Sequence, residues 1–237
     1  MISASGSIVV LTGAGMSAES GIPTFRGVDG LWEGHRIEDV ASPEGFARDP
    51  ELVHRFYNLR RAALNHVEPN EGHRALAQLE RGWKGGFLLV TQNVDDLHER
   101  AGSEKLIHMH GELRKVRCEG CGAVLTWTQD LSSGTRCRAC GGIGGLRPHI
   151  VWFGEFPFEM DRIMAALAKA DLFICVGTSG VVYPAAGFAR EAARRATCRL
   201  IEVNVDQTAI SSHFHQHIHG PAAVELPKLV DSILHGR

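Results

Sequence analysis

Short apolar runs alternate along this chain with longer stretches in which apolar residues recur every three or four positions. Ser7 to Leu11, Gly86 to Thr91, Asp171 to Gly177 and Arg199 to Asn204 are runs of the first kind, and Lys105 to Ile107 is a shorter one. Runs so short and so apolar predict strands covered on both faces, as in a parallel sheet. Met160, Ile163, Met164, Leu167 and Ala168 fall at helical spacing, as do Leu226, Leu229, Val230, Ile233 and Leu234 behind Glu225. Both sets predict amphipathic helices with a core face. The alternation predicts an α/β fold, a Rossmann-like doubly wound parallel sheet.

Two regions break the rhythm. Residues 34–69 are helical in pattern without intervening strands, and residues 113–146 are rich in Cys, Gly and Arg with no long apolar run. Both are expected to be insertions forming a smaller domain, with 1–33, 70–112 and 147–237 making the larger one. In the second region, Cys118-x-x-Cys121 and Cys137-x-x-Cys140 stand 15 residues apart. That is zinc-ribbon spacing: each pair sits on a tight knuckle and gives two thiolates to a tetrahedron. Four thiolates close the coordination sphere, so the expected zinc is structural. Cys175 and Cys198 lie in or near element ends and are expected to pack.

Composition narrows the function. The 237 residues carry 25 basic and 27 acidic side chains, a net charge of −2. This gives no basic field for nucleic acid or an anionic membrane, so neither is expected as a partner. No early apolar stretch is long enough for a membrane span or a signal core, and the cysteine pattern suits a reducing compartment, so the expected location is the cytoplasm.

Candidate chemistry gathers at the predicted strand ends. Gly13-Ala14-Gly15-Met16-Ser17-Ala18 follows the first strand and fits G-x-G-x-x-G/A, a turn that brings backbone amides to a pyrophosphate. A glycine turn holding no ligand is the competing reading. The acidic residue that usually binds the ribose about 20 positions on is missing, which argues against a hydride-transferring dehydrogenase. Gln92-Asn93-Val94-Asp95-Asp96 ends the second strand, where ligands sit in open α/β sheets; Asn93 or Asp95 would equally cap a helix over 96–101. Of 13 histidines, His110 stands out: it ends a strand candidate, precedes Gly111 and opens onto the cysteine region, and its ordinary pKa suits a general base. His213, His215, His217 and His219 alternate near the C-terminus and read as a solvated loop or edge.

Together these stretches resemble the sirtuin family of NAD-dependent protein lysine deacylases. The matching segments are residues 13–27, 91–98, 110–113, the four-cysteine module, 151–155, 177–179 and 203–205. The resemblance implies that Gly13, Ala14, Gly15 and Ala18 cradle the NAD phosphates. Thr24, Phe25 and Arg26 would lie in the mobile loop beside the nicotinamide ribose. Gln92, Asn93 and Asp95 would line the ribose and nicotinamide pocket. Gly177, Thr178, Ser179, Asn204 and Val205 would hold the adenosine half, with Ala222 touching adenine through its backbone. His110 would be the general base. Val151, Trp152, Phe153, Gly154 and Glu155 would offer an edge strand to the substrate peptide. In family terms the acyl oxygen attacks the nicotinamide ribose and nicotinamide leaves. The products are free lysine and O-acyl-ADP-ribose, with NAD consumed.

Tyr57 and Arg60 lie three apart in the helical insert and share a face. A channel for a neutral acetyl group has no use for a guanidinium, whereas a carboxylate-tipped acyl group can be held by Arg with a tyrosine hydroxyl beside it. This Y-x-x-R resembles the signature of the sirtuin branch that removes succinyl and malonyl groups, and Ala41 matches that branch's small pocket residue. Removal of succinyl, malonyl and acetyl groups is therefore expected. Two other readings stay open: protein mono-ADP-ribosyl transfer at the same NAD site, and a zinc-ribbon binding module with a vestigial nucleotide site.

Overall fold

The computed structural model describes residues 3, 5–24, 31, 32 and 34–236. The strands in chain order are β1 (Ile8–Thr12), β2 (Leu31–Trp32), β3 (His35–Arg36), β4 (Phe87–Thr91), β5 (Leu106–His108), β6 (Gly111–Cys118), β7 (Val124–Thr126), β8 (Leu146–Ile150), β9 (Leu172–Val176), β10 (Arg199–Asn204) and β11 (Gln216–His219). The α-helices are α1 (Ile37–Val40), α2 (Pro43–Arg48), α3 (Pro50–Ala63), α4 (Glu71–Gly82), α5 (Leu97–Arg100), α6 (Met160–Leu167), α7 (Phe188–Ala193) and α8 (Ala222–His235).

Six strands form one parallel sheet in the order β5-β4-β1-β9-β10-β11. The chain builds outward from β1 on one side, then returns to build on the other. This is the doubly wound Rossmann order, and its switch point lies between β1 and β9. Val10 stands opposite Leu89 on one side and Ile174 on the other. Period-two alternation sends Val9, Leu11, Val90, Phe173 and Leu200 toward α6 and α7. It sends Ile8, Val10, Leu89, Ile174 and Val203 toward α4 and α8. Both faces are covered, which is why these strands read as unbroken apolar runs. Each fully buried Ile, Leu or Val contributes roughly 1.5–3 kcal/mol.

The segment after β1 does not run into an α-helix. It makes two single 3-10 turns, Ala14–Met16 and Ala18–Ser20, and stops at Gly21, whose φ of 91° ends the second turn in a left-handed cap. Pro23 follows directly and resists an α-helix running through residue 22.

The helical insert is punctuated by its own sequence. Ser42 accepts the Gly45 amide at 2.9 Å with Pro43 in the first turn of α2, and Asp49 accepts the Leu52 amide at 2.9 Å with Pro50 opening α3. A β2–β3 hairpin precedes these helices, turning at Gly34, whose φ is 80°.

Residues 111–150 hold a three-stranded antiparallel sheet, β7-β6-β8, around Val116, Trp127, Leu131 and Leu146. Asn58 of α3 clasps Leu131 through both its amide groups at 2.9 Å, and Arg61 donates to the Leu113 carbonyl at 2.8 Å. These bonds seat α3 against the cysteine-bearing sheet. Among the described residues no helix is long and apolar enough to cross a membrane.

Candidate active site

The C-terminal ends of β1, β4, β9 and β10 open on one cavity of about 810 Å³, within the size range of a small-molecule site. It brings together Gly13, Ala14, Gly15, Thr24, Gln92, Asn93, Asp95, His110, Gly177, Thr178, Ser179, Asn204 and Val205 with Ala41, Tyr57, Arg60 and residues 151–155. Phe25 and Arg26 lie outside the described residues. Ala18 and Ala222 are not brought to it. Ala18 opens the second 3-10 turn. Ala222 is the first residue of α8, 5% exposed and packed into the core.

The glycine turn is locked by its neighbour. A Cβ on Gly13 would come 2.8 Å from the Gly177 carbonyl oxygen, and one on Gly15 would come 2.7 Å from the Gly177 Cα. Gly177 itself has φ 59°, and a Cβ there would meet the Met16 nitrogen at 2.5 Å. The Gly13 amide donates to the Val176 carbonyl and the Gly15 amide to the Gly177 carbonyl, at 2.9 and 2.8 Å. These two amides therefore hold the β1 and β9 turns together. What the turn offers a ligand is close backbone approach.

A buried polar network lies beneath it, and its hydrogen-bond directions can be followed. The Asn70 amide donates to His73 Nδ1 at 3.3 Å, which leaves the His73 Nε2 proton to reach Ser17 Oγ at 3.5 Å. Ser17 also accepts from the Asn93 side-chain amide at 3.1 Å and donates to Asp95 Oδ2 at 3.0 Å. Asp95 Oδ1 accepts the Leu97 amide at 3.1 Å, so Asp95 both lines the cavity and caps α5. Burial, aided by the Arg74 charge, brings the His73 pKa down to about 4 and keeps the ring neutral, as this chain of donors requires. Burial likewise raises the Asp95 pKa, against the pull of its two donors. Gln92 donates to Thr178 Oγ1 at 3.1 Å and Asn204 to the Thr178 carbonyl at 2.8 Å, tying the ends of β4, β9 and β10 together. Sequence spacing gave Ser17 and His73 no role. The one local signal was Asn70 three residues before His73, which is a helix cap.

His110 sits at the junction of the two halves. Its Nδ1 lies 3.2 Å from the Gln92 carbonyl. A carbonyl can only accept, so Nδ1 carries the proton and Nε2 keeps its lone pair. Burial lowers the His110 pKa, partly offset by this bond, so the ring is a neutral base near pH 7. His108 is built in the opposite sense. Its two nitrogens face the Asn93 carbonyl at 3.2 Å and Glu99 at 2.7 Å, both acceptors. Burial opposes its charge, but Glu99, Glu112 and the Asn93 carbonyl together raise its pKa.

On the side of the helical insert, Tyr57 and Arg60 both line the cavity from α3, beside Ala41. Tyr57 is fully buried and accepts the Trp152 indole N–H at 3.0 Å. The Arg60 guanidinium carbon lies 3.8 Å from the Phe56 ring centroid and 4.4 Å from that of Trp32.

Residues 151–155 lie beyond the end of β8 at Ile150, where the chain bends. The Val151 amide donates to His110, Phe153 to Ala41 and Glu155 to Trp152, all to carbonyls, while Trp152 donates to the Glu155 carboxylate. Four of the five amides are thus committed within the chain, and any peptide paired here must lean on the carbonyls.

The four cysteines of the ribbon converge. All four Sγ atoms lie within 4.8 Å of one another, with Cys118–Cys140 and Cys121–Cys137 each at 3.9 Å. A disulfide would bring the sulfurs to about 2.05 Å. Zn–S bonds of about 2.3 Å in a tetrahedron place them about 3.8 Å apart. The cluster fits one structural zinc, and the sulfurs take no part in lining the cavity.

A family model described as the Sir2 family matches residues 13–184. An NAD-dependent protein deacylase of Bdellovibrio bacteriovorus is 57% identical over 229 residues, 96% of this chain and 96% of that protein. Among solved structures, a Sir2 homologue–NAD complex superposes with a TM-score of 0.87 at 43% identity, covering 96% of this chain and 89% of the other. A Sir2 protein bound to an acetylated peptide superposes with a TM-score of 0.81 at 29% identity, covering 95% and 92%.

Proposed function

The chain belongs to the Sir2 family, and on that premise we propose that it is an NAD-dependent protein lysine deacylase that removes succinyl and malonyl groups as well as acetyl groups. The observation that carries the acyl preference is the placement of Tyr57 and Arg60 in the cavity that also holds His110. A guanidinium has donors and no acceptor, and a phenol beside it adds one more donor. Such a floor suits a carboxylate. Two charge-assisted bonds at roughly 1.5–3 kcal/mol each give discrimination of about 10²-fold after desolvation.

Gly13, Ala14, Gly15, Thr178 and Asn204 are the residues proposed to hold the nucleotide at the switch point of the sheet, with Asn93 and Asp95 on the nicotinamide side. NAD bound there would supply an electrophilic ribose carbon for the acyl oxygen, with nicotinamide as the leaving group. His110 accepts a ribose hydroxyl proton at Nε2, the nitrogen that the Gln92 carbonyl leaves unprotonated. Arg60 and Tyr57 orient the acyl group, and the 151–155 turn holds the peptide. The relatives are named protein deacylases, and a neighbour binds an acetylated peptide, which supports acyl-lysine proteins as the substrate class.

The test is one peptide carrying succinyl-lysine or acetyl-lysine, incubated with and without NAD and read by mass spectrometry. Expected is NAD-dependent loss of both groups, succinyl the faster in kcat/KM, with O-succinyl-ADP-ribose formed. Acetyl loss alone would keep the deacylase and discard the carboxylate site. Loss of neither group, with mass added to protein, would favour ADP-ribosyl transfer.

A further inference from the structure

The Tyr57 oxygen is not left to choose its own role. It accepts the Trp152 indole N–H at 3.0 Å, between two side chains that are 0% and 2% exposed. A phenol has one proton and an oxygen that accepts. Once the oxygen is claimed by the indole, the proton is directed elsewhere, and the same cavity holds Arg60. Burial also pushes the Tyr57 pKa well above its ordinary value, so the proton stays on.

Trp152 in turn is held on two sides. Its backbone amide donates to Glu155 Oε2 at 2.8 Å. Arg147 grips both Glu155 oxygens, at 2.8 and 3.0 Å, and its guanidinium carbon lies 3.3 Å from the indole centroid. Arg117 adds a bond to Glu155 at 2.7 Å. Burial works against charge on Glu155, but these donors hold its pKa below the usual carboxylate value. The indole therefore has a fixed plane and a fixed direction for its one donor.

We propose that Trp152 is a specificity-determining positioning residue, whose indole N–H fixes the Tyr57 hydroxyl as a donor toward a carboxylate-tipped acyl group. The inference rests on the acyl preference proposed above. A hydroxyl without the indole donor turns freely and presents lone pairs to the same space, which repels a carboxylate. The methyl of an acetyl group has no such stake in the hydroxyl's direction.

The experiment measures kcat/KM on one peptide bearing succinyl-lysine or acetyl-lysine, for the native chain, Trp152→Phe, Tyr57→Phe and the double variant. A further variant carries benzothienylalanine at 152, which keeps the indole outline and replaces its N–H with sulfur. This variant serves if Trp152→Phe fails to fold. The expected result is a fall of about tenfold in the succinyl-to-acetyl ratio for either change at 152, the worth of one hydrogen bond to a charged group. In the Tyr57→Phe background the same changes should leave the ratio where it is. A ratio that stays constant while both rates fall together overturns the inference, as does an equal drop without the Tyr57 hydroxyl. If the native chain itself shows no preference for succinyl-lysine, the acyl reading fails first. If the preference is present and the variants do not move it, this inference alone fails.

Discussion

On the proposed nucleotide side of the cavity, Gly13, Gln92, Asn93, Gly177, Thr178 and Asn204 stand at or just beyond the ends of parallel strands. On the acyl side, Tyr57 and Arg60 ride on a helix of the insert, and Trp152 stands on a turn. The first group is placed mainly by ladder bonds, since β1 is paired along its whole length with β4 and β9, and side-chain bonds such as Gln92 to Thr178 trim the strand ends. The second is aimed by side chains acting on side chains, through Trp152, Glu155 and Arg147. The lesson is a division of labour. The proposed chemistry rests on the sheet and tolerates change in the insert, whereas the choice of acyl group rests on a few contacts that a single substitution can alter.

His110 belongs to the common chemistry, so its loss should ignore the acyl group. His110→Ala should lower kcat by about 10²–10⁴-fold, the usual worth of a general base, and by the same factor for succinyl-lysine and acetyl-lysine peptides. NAD binding by calorimetry should persist. Unequal loss of the two activities would erase the division.

Arg60 belongs to the selective half. Arg60→Met should cut kcat/KM for succinyl-lysine by roughly 10²-fold and for acetyl-lysine far less, in a side-by-side rate assay. Equal loss of both would assign Arg60 a folding role, bracing Phe56 and Trp32.

The last effect is on stability, through pH. His73, His98 and His110 all have pKa values lowered by burial, His73 to about 4. Below about pH 6.5 the unfolded chain takes up protons that these folded rings refuse, so acid favours unfolding. Each such histidine lowers stability by up to about 1.4 kcal/mol per pH unit down to its folded pKa. His108, whose pKa is raised, acts in the other direction: its contribution is full below its unfolded value and is lost as pH rises through the folded one. His54 and His149, also lowered by burial, act as these three do, and five against one predicts a melting temperature that falls between pH 7 and pH 5 in a thermal scan. A flat or rising profile would mean that the network under the glycine turn is hydrated and ionised.

Legibility in the sequence followed the kind of contact. Strands buried on both faces are unbroken apolar runs, so β10 falls where its run lies and β1 is displaced by one residue. The antiparallel β6 is less visible because its buried Leu113, Val116 and Cys118 are separated by charged Glu112, Arg114, Lys115 and Arg117, with a bulge that interrupts period two. Of the four alternating histidines, His217 and His219 lie on β11 at the sheet edge, and His217 meets Glu202 at 3.0 Å. At the site, motifs along one segment were readable, including the four cysteines and the Tyr57–Arg60 face. Ser17 with His73 and Tyr57 with Trp152 were not, since each pair is joined across dozens of residues and neither partner announces the other. The turn at 151–155 was hidden for a related reason: its amides are taken by Ala41 and His110, from distant parts of the chain.

The interlock of Gly13, Gly15 and Gly177 has a bearing on descent as well as on binding. Any methyl at one position strikes backbone belonging to another segment, and backbone cannot swing aside as a side chain can. A lineage could admit a side chain at Gly15 only after the turn at Gly177 had withdrawn, yet Gly177 has no room to change while Gly15 and Met16 stay in place. A side chain at any one of the three positions therefore requires the backbone of another segment to move first.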